Sequence, residues 1–152
     1  MKERISAGRA EVVDIVMPGQ TNHYGTLFGG VLVAMMDKAA SIAATRYCKK
    51  DSVTVSLDNI VFEKPAKLGE AIVVTARLIY VGRTSMLLRV RAESETQAGE
   101  RKTIIGCADF VFVAVDKEGS PVHVPEPVLE TEEEKLLFEK GKKIKEMLRK
   151  QC

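Results

Sequence analysis

The sequence predicts an α+β fold, in which an antiparallel sheet wraps around one long central helix and a second helix follows at the C-terminal end. Three features carry this expectation. The stretch from Gly29 to Cys48 is rich in alanine and other helix formers and is too long for a strand. Four strand-patterned segments follow it, joined by Pro- and Gly-containing turns. The last segment then turns charged, with acids leading and bases trailing.

The elements follow in order. Arg9 to Met17 reads as a first strand, stopped by Pro18-Gly19. Thr21 to Leu27 is a polar, Gly-containing loop. In the helix that follows, Leu32, Val33, Met35, Met36, Ala39, Ala40, Ile42 and Ala43 cover most of the circumference, which predicts a helix buried nearly all round. Ser52 to Phe62 is the next strand, and "KPAKLGE" reads as a turn. "AIVVTARLIYV" places Ile72, Val74, Ala76, Leu78 and Tyr80 on one face and Arg77 on the other. After the turn "VGRTS", "MLLRVRAE" alternates with Met86, Leu88 and Val90 inward and Arg89 and Arg91 outward. "ETQAGE" is another turn, and "RKTIIGCADFVFVAV" a long strand ending at "DKEG". Hairpin-length connections imply an antiparallel sheet.

"SPVHVPEPV", with three prolines, predicts an extended connector. The segment "ETEEEKLLFEKGKKIKEMLRK" predicts a surface helix with Glu130, Glu132, Glu133 and Glu134 near its start. Lys142, Lys143, Lys145, Arg149 and Lys150 trail, the sparse apolar set is Leu136, Leu137, Ile144, Met147 and Leu148, and Gly141 weakens the middle. The expected organisation is one compact domain over residues 1–120, with connector and helix over residues 121–152.

Composition narrows the function. The formal charge is +2, Trp is absent and aromatics make up 5% of the chain, so neither a nucleic-acid nor a membrane-surface role is expected. No stretch approaches the roughly 20 apolar residues of a membrane span, and the N-terminal residues lack the apolar core of a secretory signal. Cys48, Cys107 and Cys152 form no CxxC or Cys/His cluster, which points to reduced thiols in a cytoplasm and to no metal site.

One position in the long helix is out of place. Asp37 puts a carboxylate in an apolar segment, which costs several kcal/mol unless the group is paired or solvated. A narrow polar strip of Asp37 and Lys38 would satisfy it, and so would a catalytic role. The Gly29-Gly30 pair either permits a tight loop-to-helix turn or bares helix amides to a ligand. Asn22 serves either a turn or cap, or donates its side-chain amide to a carbonyl or a water.

Four blocks in order, covering nearly the whole chain, resemble the hotdog-fold acyl-CoA thioesterases. Asn22, Gly25, Phe28, Gly29, Gly30 and Asp37 match the family's loop-and-helix pattern. Phe62, Pro65, Ala66 and Gly69 match its next block, followed by "VGRTSM" and by "FVFVAVDKEGSPVHVPEP" before a charged helix. The resemblance implies hydrolysis of acyl-CoA to free acid and CoA, with CoA as part of the substrate and no further cofactor. It implies a homodimer with two sites at the interface, often assembled into trimers of dimers. Asp37 becomes the general base or the nucleophile, Gly30 and Gly29 the oxyanion amides, Asn22 a catalytic side chain, and Phe28 an acyl-site residue. Arg83, Thr84 and Ser85 become CoA contacts. Gly30 and Asp37 lie about 10 Å apart along the helix axis, so one chain is not expected to bring Asn22 and Asp37 together, and a shared site with Asn22 from one chain and Asp37 from the other is expected. His23, His123 and Cys48 have no supporting spacing for a catalytic role, and Asp58 and Asp109 read as structural. The alternatives are another hotdog enzyme (an acyl-ACP dehydratase or an aryl-CoA thioesterase) and a non-catalytic acyl-CoA-binding protein.

Overall fold

The fold is known from a computed structural model that describes residues 1–96, 98–99 and 102–148. Its elements are β1 (Lys2–Arg4), β2 (Arg9–Ile15), α1 (Gly29–Cys48), β3 (Asp51–Phe62), β4 (Ala71–Val81), β5 (Ser85–Glu95), β6 (Lys102–Val115), β7 (Glu126–Val128) and α2 (Glu132–Met147). Five strands form one antiparallel sheet in the order β2-β4-β5-β6-β3, and β1 pairs separately with β7 in parallel. Parts of the "ETQAGE" turn (Gln97, Glu100), Arg101 and the terminal Arg149, Lys150 and Cys152 lie outside the described residues.

Helix α1 lies against one face of this sheet and touches all five strands. Leu32, Met36, Ala40, Ala43 and Tyr47 pack on Val74, Leu88, Val90, Phe110 and Phe112 to make the main core. The small alanines let the helix sit close to the curled sheet. Burial on one side only departs from the all-round burial expected of the apolar sequence: Gly30, Ala34, Lys38 and Ile42, one line at i, i+4 spacing, face outward. Of the apolar set, Ile42 is the residue on this line, 41% exposed.

The connection from β3 to β4 is not a hairpin, contrary to the reading of "KPAKLGE". Strand β3 pairs with β6 at the sheet edge, so residues 63–70 cross the sheet end to reach β4. Three strand steps are about 14 Å, well within the reach of eight extended residues. This crossing is tied down on both sides. Glu63 N–H donates to the Ile105 carbonyl, Gly69 N–H to Val16, and Leu27 N–H to Ala66. It therefore fixes the loop that feeds the start of α1.

Strand β4 carries a second departure. A bulge between Leu78 and Tyr80 shifts its phase, so Val81 rather than Tyr80 enters the main core. Tyr80 joins Ile79, Leu87 and Val111 on the outer face, where Leu137 and Ile144 of α2, with Leu148 just past its end, cover them. The rings of Tyr80 and Phe138 meet at 4.8 Å. Leu136 and Met147, expected among the apolar contacts, point to solvent. Gly141 is buried because a Cβ there would lie 2.7 Å from Tyr80 Cβ, so the glycine seats the helix rather than weakening it. The first turn of α2 is closed reciprocally by Thr131 and Glu134: Glu134 N–H donates to Thr131 Oγ1 at 3.1 Å, and Thr131 N–H to Glu134 Oε2 at 3.3 Å. The proline connector is pinned to α1 by the buried Tyr47 hydroxyl, which donates to the Pro125 carbonyl at 2.8 Å.

Candidate active site

The start of α1 is a helix end without a side-chain cap. Phe28 occupies the capping position and its side chain accepts nothing. The Phe28 carbonyl takes the amides of Val31 and Leu32, while Gly29 and Gly30 N–H find no acceptor among the described residues. Serine, threonine, asparagine or aspartate usually stands at such a position and fills these donors. Here the two amides stay open at the positive end of a 20-residue helix, an arrangement suited to a developing negative charge.

Asp37 lies two turns further along, half-buried where α1 faces β3. The Thr54 hydroxyl donates to Asp37 Oδ1 at 2.7 Å. Asp37 forms no ion pair among the described residues, and Oδ2 accepts no bond from them. The carboxylate is thus oriented at one oxygen and open at the other. Thr54 was missing from the sequence-based candidates. The signal was present, however: "SVTV" alternates hydroxyls with valines, and the face carrying Ser52 and Thr54 is the one opposite α1. Hydroxyls where an apolar inner face is expected mark a polar neighbour.

Asn22 holds a tight loop together. Its Oδ1 accepts the amides of Tyr24 at 3.0 Å and Thr26 at 3.2 Å, and its Nδ2 donates to Thr26 Oγ1 at 3.0 Å. Gly25, with φ +79, makes the reversal. Among the described residues the side chain of Asn22 bonds only inside this loop, and Nδ2 keeps a second hydrogen free of them. The structure therefore gives Asn22 the turn role and does not bond it to Asp37.

Arg83, Thr84 and Ser85 lie near the far end of α1. Their turn is closed by Gly82 N–H donating to Ser85 O at 2.8 Å and is anchored by Ala114 and Val124, whose amides bond the Thr84 and Arg83 carbonyls at 3.0 Å. Ala114 pairs with Ser52, just past the C-terminal end of α1, so this turn and Gly29-Gly30 occupy opposite ends of the helix.

The other candidates behave as structural groups. His23 is exposed and stacks on Tyr24, and His123 is exposed in the connector. Cys48 is buried, its thiol bonds the Lys50 carbonyl, and burial pushes its pKa up, so thiolate is scarce. Asp109, only 3% exposed, accepts two guanidinium N–H bonds from Arg89 at 3.1 and 3.4 Å and one side-chain amide N–H bond from Asn59 at 3.1 Å. Asp58 accepts the Asn59 amide. Among the described residues no cluster could hold a metal ion and no helix is long and apolar enough to cross a membrane.

Comparison with known proteins gives this geometry a context. The thioesterase superfamily profile matches residues 24–100. The uncharacterized acyl-CoA thioester hydrolase YkhA of Bacillus subtilis is 40% identical over 123 residues, 80% of this chain and 71% of that protein. The solved acyl-CoA hydrolase of Staphylococcus aureus, in complex with butyryl-CoA, CoA and CoA disulfide, superposes with a TM-score of 0.87 at 31% identity, covering 96% of this chain and 89% of that one. Solved variants of that enzyme replace by alanine an asparagine, an aspartate 15 residues later and a threonine 17 residues after that. Asn22, Asp37 and Thr54 stand at the same spacings. A hexameric acyl-CoA thioesterase, 32% identical, gives a TM-score of 0.86 over 98% of this chain and 99% of its own. With the sheet, the central helix and the profile in agreement, the chain belongs to the hotdog-fold acyl-CoA thioesterases of the thioesterase superfamily.

Proposed function

We propose that this protein hydrolyses acyl-CoA thioesters to a free carboxylic acid and CoA. The observation that carries the reading is a single helix bearing both an open pair of amides at Gly29-Gly30 and a carboxylate, Asp37, held at one oxygen by Thr54. The amides take the carbonyl oxygen as it gains charge. Asp37 Oδ2 either draws a proton from the water that attacks the carbonyl carbon or attacks that carbon itself, giving an anhydride that water opens. The carbon–sulfur bond breaks, and the sulfur leaves with the electron pair and is protonated. The free hydrogen on Asn22 Nδ2 is a further donor to the carbonyl or the water.

The catalytic groups of one site come from two chains. Amides and carboxylate on the same helix are about 10 Å apart along its axis and do not reach the same carbonyl. Strand β3 supports a dimer: it is a 12-residue edge strand with Val53, Val55 and Val61 exposed, an edge that invites pairing with a second copy. The bare line Gly30, Ala34, Lys38 and Ile42 on α1 would be covered in the same assembly. Arg83, Thr84 and Ser85 then bind the CoA of a site whose oxyanion amides belong to the partner, and three such dimers make a hexamer. A cytoplasmic location fits the free Cys48 and Cys107.

The test is thiol release from acyl-CoAs of graded chain length, by the natural protein and by Asp37→Asn. The natural protein is expected to release CoA, and the variant to fold with kcat lower by about 10²–10⁴-fold. Tight acyl-CoA binding without thiol release would assign the protein to acyl-CoA binding instead.

A further inference from the structure

Two aromatic rings bracket the start of α1. A Cβ on Gly30 would come within 2.8 Å of the Phe28 ring, and one on Gly29 within 3.4 Å of Phe62 Cζ. Each phenylalanine is 56% exposed, unusual for so large an apolar group. Phe62 is the last residue of β3, and next to it opens a hollow of about 270 Å³. Leu27, Leu32, Phe62 and Ile105 make most of its wall apolar, Gly29 borders it, and Glu63 and Lys64 also line it.

Chemistry decides what such a hollow takes. The apolar share of the wall suits a hydrocarbon chain, and the charges of Lys64 and Glu63 offset each other on the remainder, which makes a poor cradle for the phosphates of CoA. On the hydrolase reading, a thioester whose oxygen meets the Gly29 and Gly30 amides has its first acyl carbons at the mouth of this hollow, against Phe62. We propose that Phe62 is the acyl-selecting residue: its ring, seated on Gly29, limits how long a chain enters beside the helix start. This inference rests on the hydrolase reading. The ring reaches Gly29 because the crossing segment that begins at Glu63 is bonded to Ile105 at its first residue, which fixes the end of β3 over the helix. Phe62 selects by volume and forms no bond with the reacting atoms.

The experiment measures kcat/KM for straight-chain acyl-CoAs from acetyl to palmitoyl in the natural protein, Phe62→Ala and Phe62→Leu. Removing the ring deepens the hollow, so the optimum is expected to move to longer chains. The ratio of long-chain to short-chain kcat/KM should rise about tenfold in Phe62→Ala and less in Phe62→Leu, since each added buried methylene contributes roughly fourfold. Acetyl-CoA, whose single methyl stays at the mouth of the hollow, should change little. Profiles that superimpose on the natural one after scaling, in either variant, would make Phe62 a packing residue and overturn the inference while leaving the hydrolase reading intact. Absence of thiol release by the natural protein would overturn both. Should Phe62→Ala fail to assemble, as judged by size in solution, the smaller shift expected of Phe62→Leu decides.

Discussion

Asp37 and Thr54 form a pair in which a hydroxyl sets the orientation of a carboxylate. A hydrogen bond to a charged group contributes about 1.5–3 kcal/mol, and only the part made more strongly in the transition state affects the rate. Thr54→Ala is therefore expected to lower kcat by roughly tenfold or more, with KM nearly unchanged, while Thr54→Ser restores most of the loss. Steady-state kinetics of the two variants checks this, and equal losses in both would show that the methyl group, not the hydroxyl, matters. Asp37 was legible in the sequence because a carboxylate interrupting an apolar helix is conspicuous. Thr54 was not, because a threonine in a strand satisfies strand preference whatever it bonds. Asn22 was legible with both its readings, turn residue and amide donor, and the structure shows the turn bonding; its partners Tyr24 and Thr26 follow from the Gly25 reversal, which sequence spacing does not fix.

The helices show how far pattern alone goes. The bounds of α1 follow from its composition and Gly-Gly start, and the structure places it over the predicted span, Gly29–Cys48. Its bare line does not, because an apolar count cannot separate burial by the chain's own sheet from burial by a second copy. In α2 the misleading residue is Gly141. A glycine inside a helix costs about 1 kcal/mol relative to alanine, so Gly141→Ala on an isolated helix would stabilise it. In the folded protein the added Cβ meets Tyr80 Cβ at 2.7 Å, and overpacking of this kind costs about 1–3 kcal/mol. The expected net effect is destabilisation, measured as a lower unfolding midpoint in urea. An increase would mean that α2 is free to shift off the outer face. The bulge that turns Tyr80 toward α2 was equally invisible, since strict alternation along "AIVVTARLIYV" assigns it to the core.

The molecule as a whole reads as half of a functional unit. Its sheet ends in β3, a long apolar edge, its central helix has one bare flank, and on the proposed function the Gly29-Gly30 amides and the Asp37 carboxylate are too far apart to serve one substrate within a chain. The class of fold was legible because strand and helix periods are local. The strand order was not, because the crossing from β3 to β4 has the length of a generous hairpin and only the curl of the sheet sends it elsewhere. The measurement that bears most directly on this account is complementation between two inactive variants, Asn22→Ala and Asp37→Asn. They are refolded or co-expressed together, and the heterodimer is purified. If Asn22 and Asp37 of different chains complete each site, one of the two sites in the heterodimer is intact, and thiol release should recover to about half the natural rate. A heterodimer that forms but stays as inactive as its parents would contradict the shared site.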